Sequence, residues 1–236
     1  MVARYMFVGH FAVGFAAKPA APKTSLGTLF LAALLADVLW IAFAFIGLEH
    51  VAIKPGITAV NALDLVDIGF SHSLAMDTVW AALLAGIYFL LRRYRRGAWI
   101  VFALVLSHWL LDFVSHRPDM PLVPGGHHVF GLGLWNSRLA TFLAEGGLWV
   151  AGIILYVRAT RPVNRAGTYV FWIMAALLTA LWLLSLNGAP PPSLAAVRMV
   201  NLILFTIVLA WAYWMERLRP ATSSESGQTR AAQQNQ

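Results

Sequence analysis

The sequence predicts an all-α membrane protein, a helix bundle with about six to seven transmembrane segments. Of its 236 residues, 60% are hydrophobic and only 11% are charged, and the mean hydropathy is +0.71. A soluble domain carries about 25% charged residues. Several apolar runs reach the roughly 20 residues that a helix needs to cross a bilayer. The runs are continuous rather than alternating, which favours helices over a transmembrane barrel.

The first half of the chain supplies two predicted segments and a long loop. The first apolar run, residues 3–17, is short for a span and contains His10. The second, residues 27–48, is expected to be one span with Asp37 near its middle. Residues 49–70 are more polar and predict a loop, part of which is suited to lie along the membrane surface.

Five further apolar runs complete the predicted bundle. They cover residues 71–91, 98–116, 138–157, 167–187 and 194–215. Residues 1–219 are therefore interpreted as one transmembrane domain. The polar, low-complexity segment 220–236 is expected to be a disordered cytoplasmic tail.

Basic residues between the runs predict the orientation of the chain. The clusters are Lys18 with Lys23, RRYRR at 92–96, RATRPVNR at 158–165, and Arg217 with Arg219. Alternating spans place all four on one side, which the positive-inside rule assigns to the cytoplasm. We therefore expect a bacterial-type inner membrane, with the N-terminus outside and the C-terminus in the cytoplasm. The same clusters account for the net charge of +7 without a nucleic-acid partner. The absence of cysteine excludes disulfides and thiolate metal ligands.

The stretch SHWLLDFVSH, residues 107–116, carries polar residues through an apolar run. His108, Asp112 and His116 are four residues apart and share one face of a helix. The two histidines are about 12 Å apart along a straight axis, so one ion does not easily bind both. One ion is compatible with His108 and Asp112, or with Asp112 and His116. The alternative is a hydrogen-bonded polar seam between helices.

Other ionisable residues fall at a similar predicted depth, in the outer half or near the middle of the membrane. They are His10, Asp37, His72 and Glu145. Ionisable groups in hydrocarbon are costly unless they are paired, neutralised or hydrated. Imidazole and carboxylate are typical ligands of zinc and other first-row metals. The sequence therefore predicts a divalent metal site among these residues and the stripe of His108, Asp112 and His116.

Residues outside this set have weaker patterns. His127 and His128 lie in a predicted loop and are expected at the surface. Arg117 and Asp119 are expected to form a loop turn with Pro118 and Pro121, although Arg117 is also placed to meet an anionic substrate. Arg198 and Asn201, near the outer end of the last run, are further candidates for the same cavity.

Four motifs resemble those of the YdjM-type inner-membrane proteins, a family described as membrane-bound metal-dependent hydrolases. They are MFVGHFAVGF, LLADVLW, GFSHSLAM and SHWLLDFVSH, and the resemblance covers roughly residues 6–120. It implies His10, Asp37, His72, His108 and Asp112 as ligands. The acidic motif of the family commonly has a second aspartate, where this chain has Leu39. His116 or Glu145 is the candidate replacement.

These observations lead to one expected function and two alternatives. The expected function is metal-dependent hydrolysis of a lipid or lipid-linked phosphate or ester, with zinc as the leading ion. Asp112 or Glu145 is the predicted general base. The first alternative is a transporter or channel for metal ions or protons. The second is a structural membrane protein in which a metal clamps helices. Membrane lipids are the expected partners in each case.

Overall fold

The computed structural model describes residues 8–222 and has the all-α architecture that the sequence predicts. In chain order the elements are α1 (Val8–Ala16), α2 (Leu26–Ala33), α3 (Leu35–Phe45), β1 (His50–Ile53), β2 (Leu63–Asp67), α4 (Gly69–His72), α5 (Leu74–Arg92), α6 (Arg95–Ser115), β3 (Met120–Pro121), β4 (Val129–Phe130), a short 3₁₀ turn (Leu134–Asn136), α7 (Arg138–Ala159), α8 (Arg165–Asn187) and α9 (Leu194–Leu218).

The long helices agree with the prediction of a multi-pass membrane protein. Five helices, α5 to α9, are long and apolar enough to cross a membrane. The pair α2 and α3 adds a sixth span if the two helices are counted as one. The helix α1 has nine residues, fewer than the roughly 20 that a span needs. Residues 3–7 of the predicted first run lie outside the described residues.

The second apolar run differs from the single span that the sequence predicts. Its first helix, α2, ends at Ala33, and α3 leaves at an angle of 60° to α2 after the break at Leu34. Asp37 therefore lies in the first turn of α3 and not in the middle of a span. A helix N-terminus carries unpaired N–H groups and the positive end of the helix dipole, which stabilise a carboxylate there. Residues 27–48 are thus a broken segment.

The loop predicted at 49–70 contains a β-hairpin followed by a short helix. Strands β1 and β2 pair antiparallel, with Ile53 opposite Leu63. The N–H groups of Ala59 and Val60 both donate to the carbonyl of Trp135, at 3.0 and 3.1 Å. These bonds hold the hairpin against the start of α7. The hairpin forms a cap over one end of the bundle, which we call the site end.

The helix α1 is surrounded by the rest of the bundle. It contacts α2, α6, α7 and α8. Phe15 is fully buried, and its ring lies 4.8–5.8 Å from the rings of Phe30, Trp149, Tyr156 and Phe171. Gly152 of α7 permits this packing, because a Cβ atom there would lie 2.5 Å from the carbonyl oxygen of Ala12. The close contact fixes the depth of α1 and therefore of His10.

The opposite end of the bundle carries the basic clusters and a buried ion pair. Lys18 is fully buried, and its Nζ donates to Glu216 at 2.5 Å and to the Thr24 carbonyl at 2.8 Å. The second oxygen of Glu216 accepts from the N–H of Leu26 at 3.0 Å. Burial lowers the pKa of Lys18, and the adjacent Glu216 opposes this effect. The pair joins the α1–α2 loop to the end of α9.

The first residues of the predicted tail are also held at this end. Thr160 and Ala221 form an antiparallel bridge, and the N–H of Thr222 donates to the carbonyl of Ala159 at 2.9 Å. The rest of the predicted tail, residues 223–236, lies outside the described residues.

We expect Glu216→Gln to destabilise the protein by about 3 kcal/mol, because it leaves the buried Lys18 ammonium without a counter-charge. Thermal unfolding in detergent measures this effect. Arg217→Gln, an exposed change on the same helix, is the control and should have little effect. The double variant Lys18→Met, Glu216→Gln should recover most of the loss, since it leaves no unpaired charge. A Glu216→Gln variant as stable as the control would contradict this assignment.

Candidate metal centre

The structure brings together the six residues predicted as metal ligands. They come from separate segments: His10 from α1, Asp37 from α3, His72 from α4, His108 and Asp112 from α6, and His116 directly after α6. All are buried except Asp37, whose side chain is 28% exposed. We call these six residues the His/Asp cluster.

Asp112 is the centre of the cluster, because both of its oxygens lie near imidazole nitrogens. Its Oδ1 is 3.2 Å from His10 Nε2 and 3.8 Å from His116 Nε2. Its Oδ2 is 3.3 Å from His108 Nε2 and 3.8 Å from His72 Nε2. Four histidines thus direct the same ring nitrogen towards one carboxylate.

Asp37 supplies the second carboxylate. Its Oδ1 is 3.7 Å from His72 Nε2 and 3.9 Å from His108 Nε2. Ligand atoms that bind one zinc ion at 2.0–2.2 Å lie roughly 3–4 Å from each other. Two groups of three residues have mutually close donor atoms that could hold an ion. They are His10, His108 and Asp112, and Asp37, His72 and His108, so His108 is common to both.

The break between α2 and α3 orients His108. Ala33 is the last residue of α2, where backbone carbonyls lose their partners within the helix. Its oxygen lies 2.8 Å from His108 Nδ1. A carbonyl only accepts hydrogen bonds, so Nδ1 carries the proton and Nε2 of the neutral ring keeps its lone pair. His108 Nε2 is buried and makes no hydrogen bond within residues 8–222. This nitrogen is suited to bind a cation.

His72 is oriented by a relay that begins at Glu49. The Glu49 carboxylate accepts from the backbone N–H of Ser71 at 2.7 Å and from its hydroxyl at 2.6 Å. The hydroxyl has used its proton, so it accepts from His72 Nδ1, which is 2.6 Å away. His72 Nε2 is then left as a lone-pair donor towards Asp37 and Asp112. Supporting bonds of this kind fix the tautomer and raise the basicity of metal-binding histidines.

His116 is oriented from the hairpin side of the cluster. Its Nδ1 lies 3.2 Å from Asp119 Oδ1, and its ring lies 4.3 Å from that of Trp135. Burial lowers the pKa of His116, but the carboxylates of Asp112 and Asp119 more than offset this, and the pKa is raised. Sequence reasoning did not identify Asp119 as a partner of His116.

Arg117, which the sequence places to meet an anionic substrate, forms ion pairs within the protein. Its guanidinium pairs with Asp64 of β2 and with Asp119, whose Oδ2 is 3.2 Å from Nε. Lys54 of the loop after β1 also pairs with Asp64. Arg117 is therefore neutralised by two carboxylates and links the hairpin to the segment that follows α6.

Glu145 lies behind the His/Asp cluster. It is buried in α7, and its Oε1 accepts from Trp135 Nε1 at 3.1 Å. The ring of Trp135 separates it from His116. The described contacts of Glu145 are thus typical of a residue that positions Trp135. In the described part of the chain, Glu145 makes no direct contact with the cluster that would support its predicted role as a general base.

Asp77 was missed by sequence reasoning. It lies in the first turn of α5, five residues after His72, and is fully buried. Within residues 8–222, neither of its carboxylate oxygens makes a hydrogen bond. An acidic residue in the first turn of a helix is common, and so the sequence alone gives no reason to single it out. Its burial without a partner is costly and typical of a functional site.

A cavity of about 70 Å³ adjoins the cluster, with room for a few water molecules. We call it the site cavity. It is lined by His10, Asp37, His72, Asp112 and His116 from the cluster and by Phe11, Leu34, Trp40, Asn61, Leu63, Leu65, Ile68, Trp135, Asn201 and Phe205. Asn201 is therefore at the cavity, as suggested by the sequence. His127 and His128 are exposed and remote from this lining, as their loop position predicts.

The Glu49–Ser71–His72 relay leads to a prediction for Ser71→Ala. The variant removes the acceptor of His72 Nδ1 and should weaken zinc binding about 10- to 100-fold. Competition with a zinc chelator of known affinity measures this change. Ser107→Ala is the matched control, because that hydroxyl donates to Leu104 of its own helix, and it should bind zinc as the wild type does. Equal zinc affinity in both variants would contradict the role of the relay.

Comparison with known proteins gives no relative from which a function can be transferred. No protein-family model, no curated protein and no solved structure matches the chain. The buried His/Asp group that could hold a metal ion is thus the feature on which a functional proposal rests.

Proposed function

We propose that this chain is a membrane-bound metal-dependent hydrolase with Zn²⁺ as its ion, acting on a lipid or lipid-linked phosphate or ester. The observation that carries the proposal is the orientation of the histidines. His72 and His108 hold Nδ1 against an acceptor, and their Nε2 atoms lie 3.3–3.9 Å from the oxygens of Asp37 and Asp112. Without a cation, these nitrogen lone pairs would face carboxylate oxygens, which are also electron-rich, so a hydrogen-bonded seam between helices explains the arrangement less well than a metal site.

The donor set fits zinc, which binds imidazole and carboxylate in sites with three or four protein ligands. A bound Zn²⁺ supplies a Lewis acid and lowers the pKa of a bound water to about 7. The protein groups hold the donors in place before substrate arrives.

The general base of the proposal is Asp37, in place of the predicted Asp112 or Glu145. Both oxygens of Asp112 lie within 3.8 Å of imidazole nitrogens, and Glu145 is bonded to Trp135. Asp37 is the more exposed carboxylate of the cluster, and its Oδ1 is the oxygen that lies 3.7 Å from His72 Nε2 and 3.9 Å from His108 Nε2. Its Oδ2 is suited to accept a proton from a water molecule in the site cavity.

The proposed location follows from the distribution of basic residues. The loop α5–α6, the loop α7–α8 and the end of α9 carry arginines at the end of the bundle opposite the site. The positive-inside rule then places the site end outside a bacterial-type inner membrane and the C-terminus in the cytoplasm. The resemblance of four motifs to the YdjM-type proteins supports the same membrane and the hydrolase activity.

Transport of ions or protons has less support. It requires a polar route from the cluster through the rest of the bundle. The buried residues of α6 below His108 are Val105, Leu104, Val101 and Gly97, which offer no side-chain ligand. A structural role for the metal remains compatible with the ligands and is distinguished by the absence of turnover.

The proposal predicts zinc-dependent hydrolysis of chromogenic phosphate or carboxylic esters by the purified protein. The double variant His72→Ala, Asp112→Ala should lose at least about 10³-fold in kcat/KM, because it removes ligands of the catalytic ion. Initial rates are measured with zinc added back after chelation. The double variant His127→Ala, His128→Ala is the matched control, since both side chains are exposed loop histidines, and should retain activity.

Turnover that is equal in the two double variants would refute the proposal. Absence of turnover on every ester class, with zinc bound at the cluster, would favour the structural role.

A further inference from the structure

The site cavity contains hydrogen-bond donors that the His/Asp cluster does not use. Asn61, Trp40 and Asn201 line it, and each is more than 90% buried. They come from the hairpin loop, from α3 and from α9. Buried polar groups are normally hydrogen-bonded, so donors without a protein partner beside a cavity are available to bind a ligand.

Asn61 presents a donor because its oxygen is already engaged. Its Oδ1 accepts from the N–H of Leu63 at 3.0 Å, and its own N–H donates to the hydroxyl of Thr58 at 2.8 Å. These bonds fix the orientation of the amide. The NH₂ group is then the free end, because the hydrogen bonds of Asn61 within residues 8–222 use its Oδ1 and its backbone.

Asn201 and Trp40 add two more donors. The amide of Asn201 makes no hydrogen bond to any group in the described part of the chain, although the residue is only 7% exposed. The indole Nε1 of Trp40 is buried and likewise has no acceptor among residues 8–222. Three donors from three elements thus meet at one small cavity.

A cationic side chain, Arg198, lines a neighbouring cavity rather than the site cavity itself. Arg198 is one turn before Asn201 on α9 and lines an adjoining cavity of about 230 Å³, which shares Trp40 with the site cavity. Its Nη1 donates to the Ala44 carbonyl at 2.7 Å, and its buried Nε has no acceptor within the described residues. Glu49 also lines this second cavity, but both of its oxygens are bonded to Ser71.

The number and charge of these groups decide between two ester chemistries. A carboxylic ester presents one carbonyl oxygen, which one or two donors satisfy. A phosphoryl group presents several anionic oxygens and is recognised by several donors together with arginine. Three donors, a cationic guanidinium and an adjoining metal cluster match the phosphoryl group. The small volume of the site cavity admits the phosphoryl group and leaves the rest of a substrate outside.

The surroundings of Arg198 indicate what lies outside. The neighbouring side chains Phe45, Ile46 and Met199 are 49%, 75% and 46% exposed, and the guanidinium lies 5.3 Å from the ring of Phe45. Exposed apolar side chains on a membrane helix face hydrocarbon. A lipid can therefore keep its chains in the membrane while its head group reaches the cavity.

We propose that Asn61, Trp40 and Asn201 form a phosphoryl subsite, supported by Arg198, for a phosphate monoester of a membrane lipid. The inference rests on the proposed hydrolase function and narrows its substrate from esters in general to phosphate monoesters. In the reaction, water oxygen forms the new bond to phosphorus and the P–O bond to the lipid breaks. The lipid alkoxide takes up a proton, equivalent to the one that the water loses, and leaves as the lipid alcohol. Inorganic phosphate is the second product.

The test is binding of inorganic phosphate to the zinc-loaded protein in detergent, measured by calorimetry. Asn61→Asp keeps the acceptor for Leu63 but replaces the NH₂ donor with an anionic oxygen. Asn201→Asp makes the same change on α9. Each should weaken phosphate binding at least about tenfold. Asn164→Asp is the matched control, because that residue caps α8 through Oδ1, a role that Asp also fills, and it should bind phosphate as the wild type does.

Trp40→Phe keeps the proposal testable if an aspartate variant loses zinc or does not fold. It removes one donor, adds no charge and retains an aromatic ring, and it should weaken phosphate binding roughly three- to tenfold. Zinc content is measured on every variant. A wild-type protein that binds no phosphate, or subsite variants that bind it as tightly as Asn164→Asp, would overturn the proposal.

Competition for the bound phosphate identifies the source of the phosphoryl group. The protein is placed in phosphatidylcholine nanodiscs, and phosphatidate in the disc is compared with soluble glycerol 3-phosphate. If phosphatidate displaces the bound phosphate at lower amounts than glycerol 3-phosphate does, the result supports a lipid substrate. If glycerol 3-phosphate displaces it equally well or better, the result would overturn the proposal of a lipid substrate. Phosphate binding without ester turnover would support the phosphoryl subsite and contradict the proposed hydrolase function. Hydrolysis of carboxylic esters without phosphate binding would support the hydrolase function and overturn the phosphoryl subsite.

Discussion

The break between α2 and α3 at Leu34 is the constraint on which the site depends. It has two consequences, both for residues within three positions of Leu34. The carbonyl of Ala33, at the end of α2, accepts from His108 Nδ1, and Asp37, in the first turn of α3, faces His72 and His108. A continuous helix would bond the Ala33 carbonyl internally and carry Asp37 away along its axis. The break costs the helix the internal hydrogen bond of the Ala33 carbonyl, but this carbonyl and Asp37 become available to the His/Asp cluster.

The other elements position the remaining residues of the His/Asp cluster around this break. The packing of α1 against Gly152 fixes the depth of His10, and the Glu49–Ser71 bonds fix His72 at the end of α4. Asp119, just beyond α6, fixes His116. His72 and His116 use Nδ1 for support, and His10 is held by the packing of its helix, so that the Nε2 atom of each lies towards Asp112. The arrangement is preorganised, and a cation that enters it needs little rearrangement of the protein.

The sequence predicted the long helices and the membership of the cluster, because both follow from strong local signals. Apolar runs of about 20 residues end at charged or proline-rich loops, and a charged residue in such a run needs a partner. The break could not be predicted, since LLADVLW contains neither glycine nor proline. The relay through Ser71 was also hidden, because Glu49 is 22 residues away in a loop. Asp77 resembled an ordinary first-turn acid until its burial was known.

The central claim is that the imidazole nitrogens converge to bind a cation, and X-ray absorption of the zinc-loaded protein tests it most directly. We predict about one tightly held zinc per chain, with nitrogen and oxygen ligands at roughly 2.0–2.1 Å and the outer-shell scattering of at least two imidazoles. Protein that retains no zinc, or zinc with an oxygen-only shell, would contradict the account. The histidines would then be a hydrogen-bonded seam between helices.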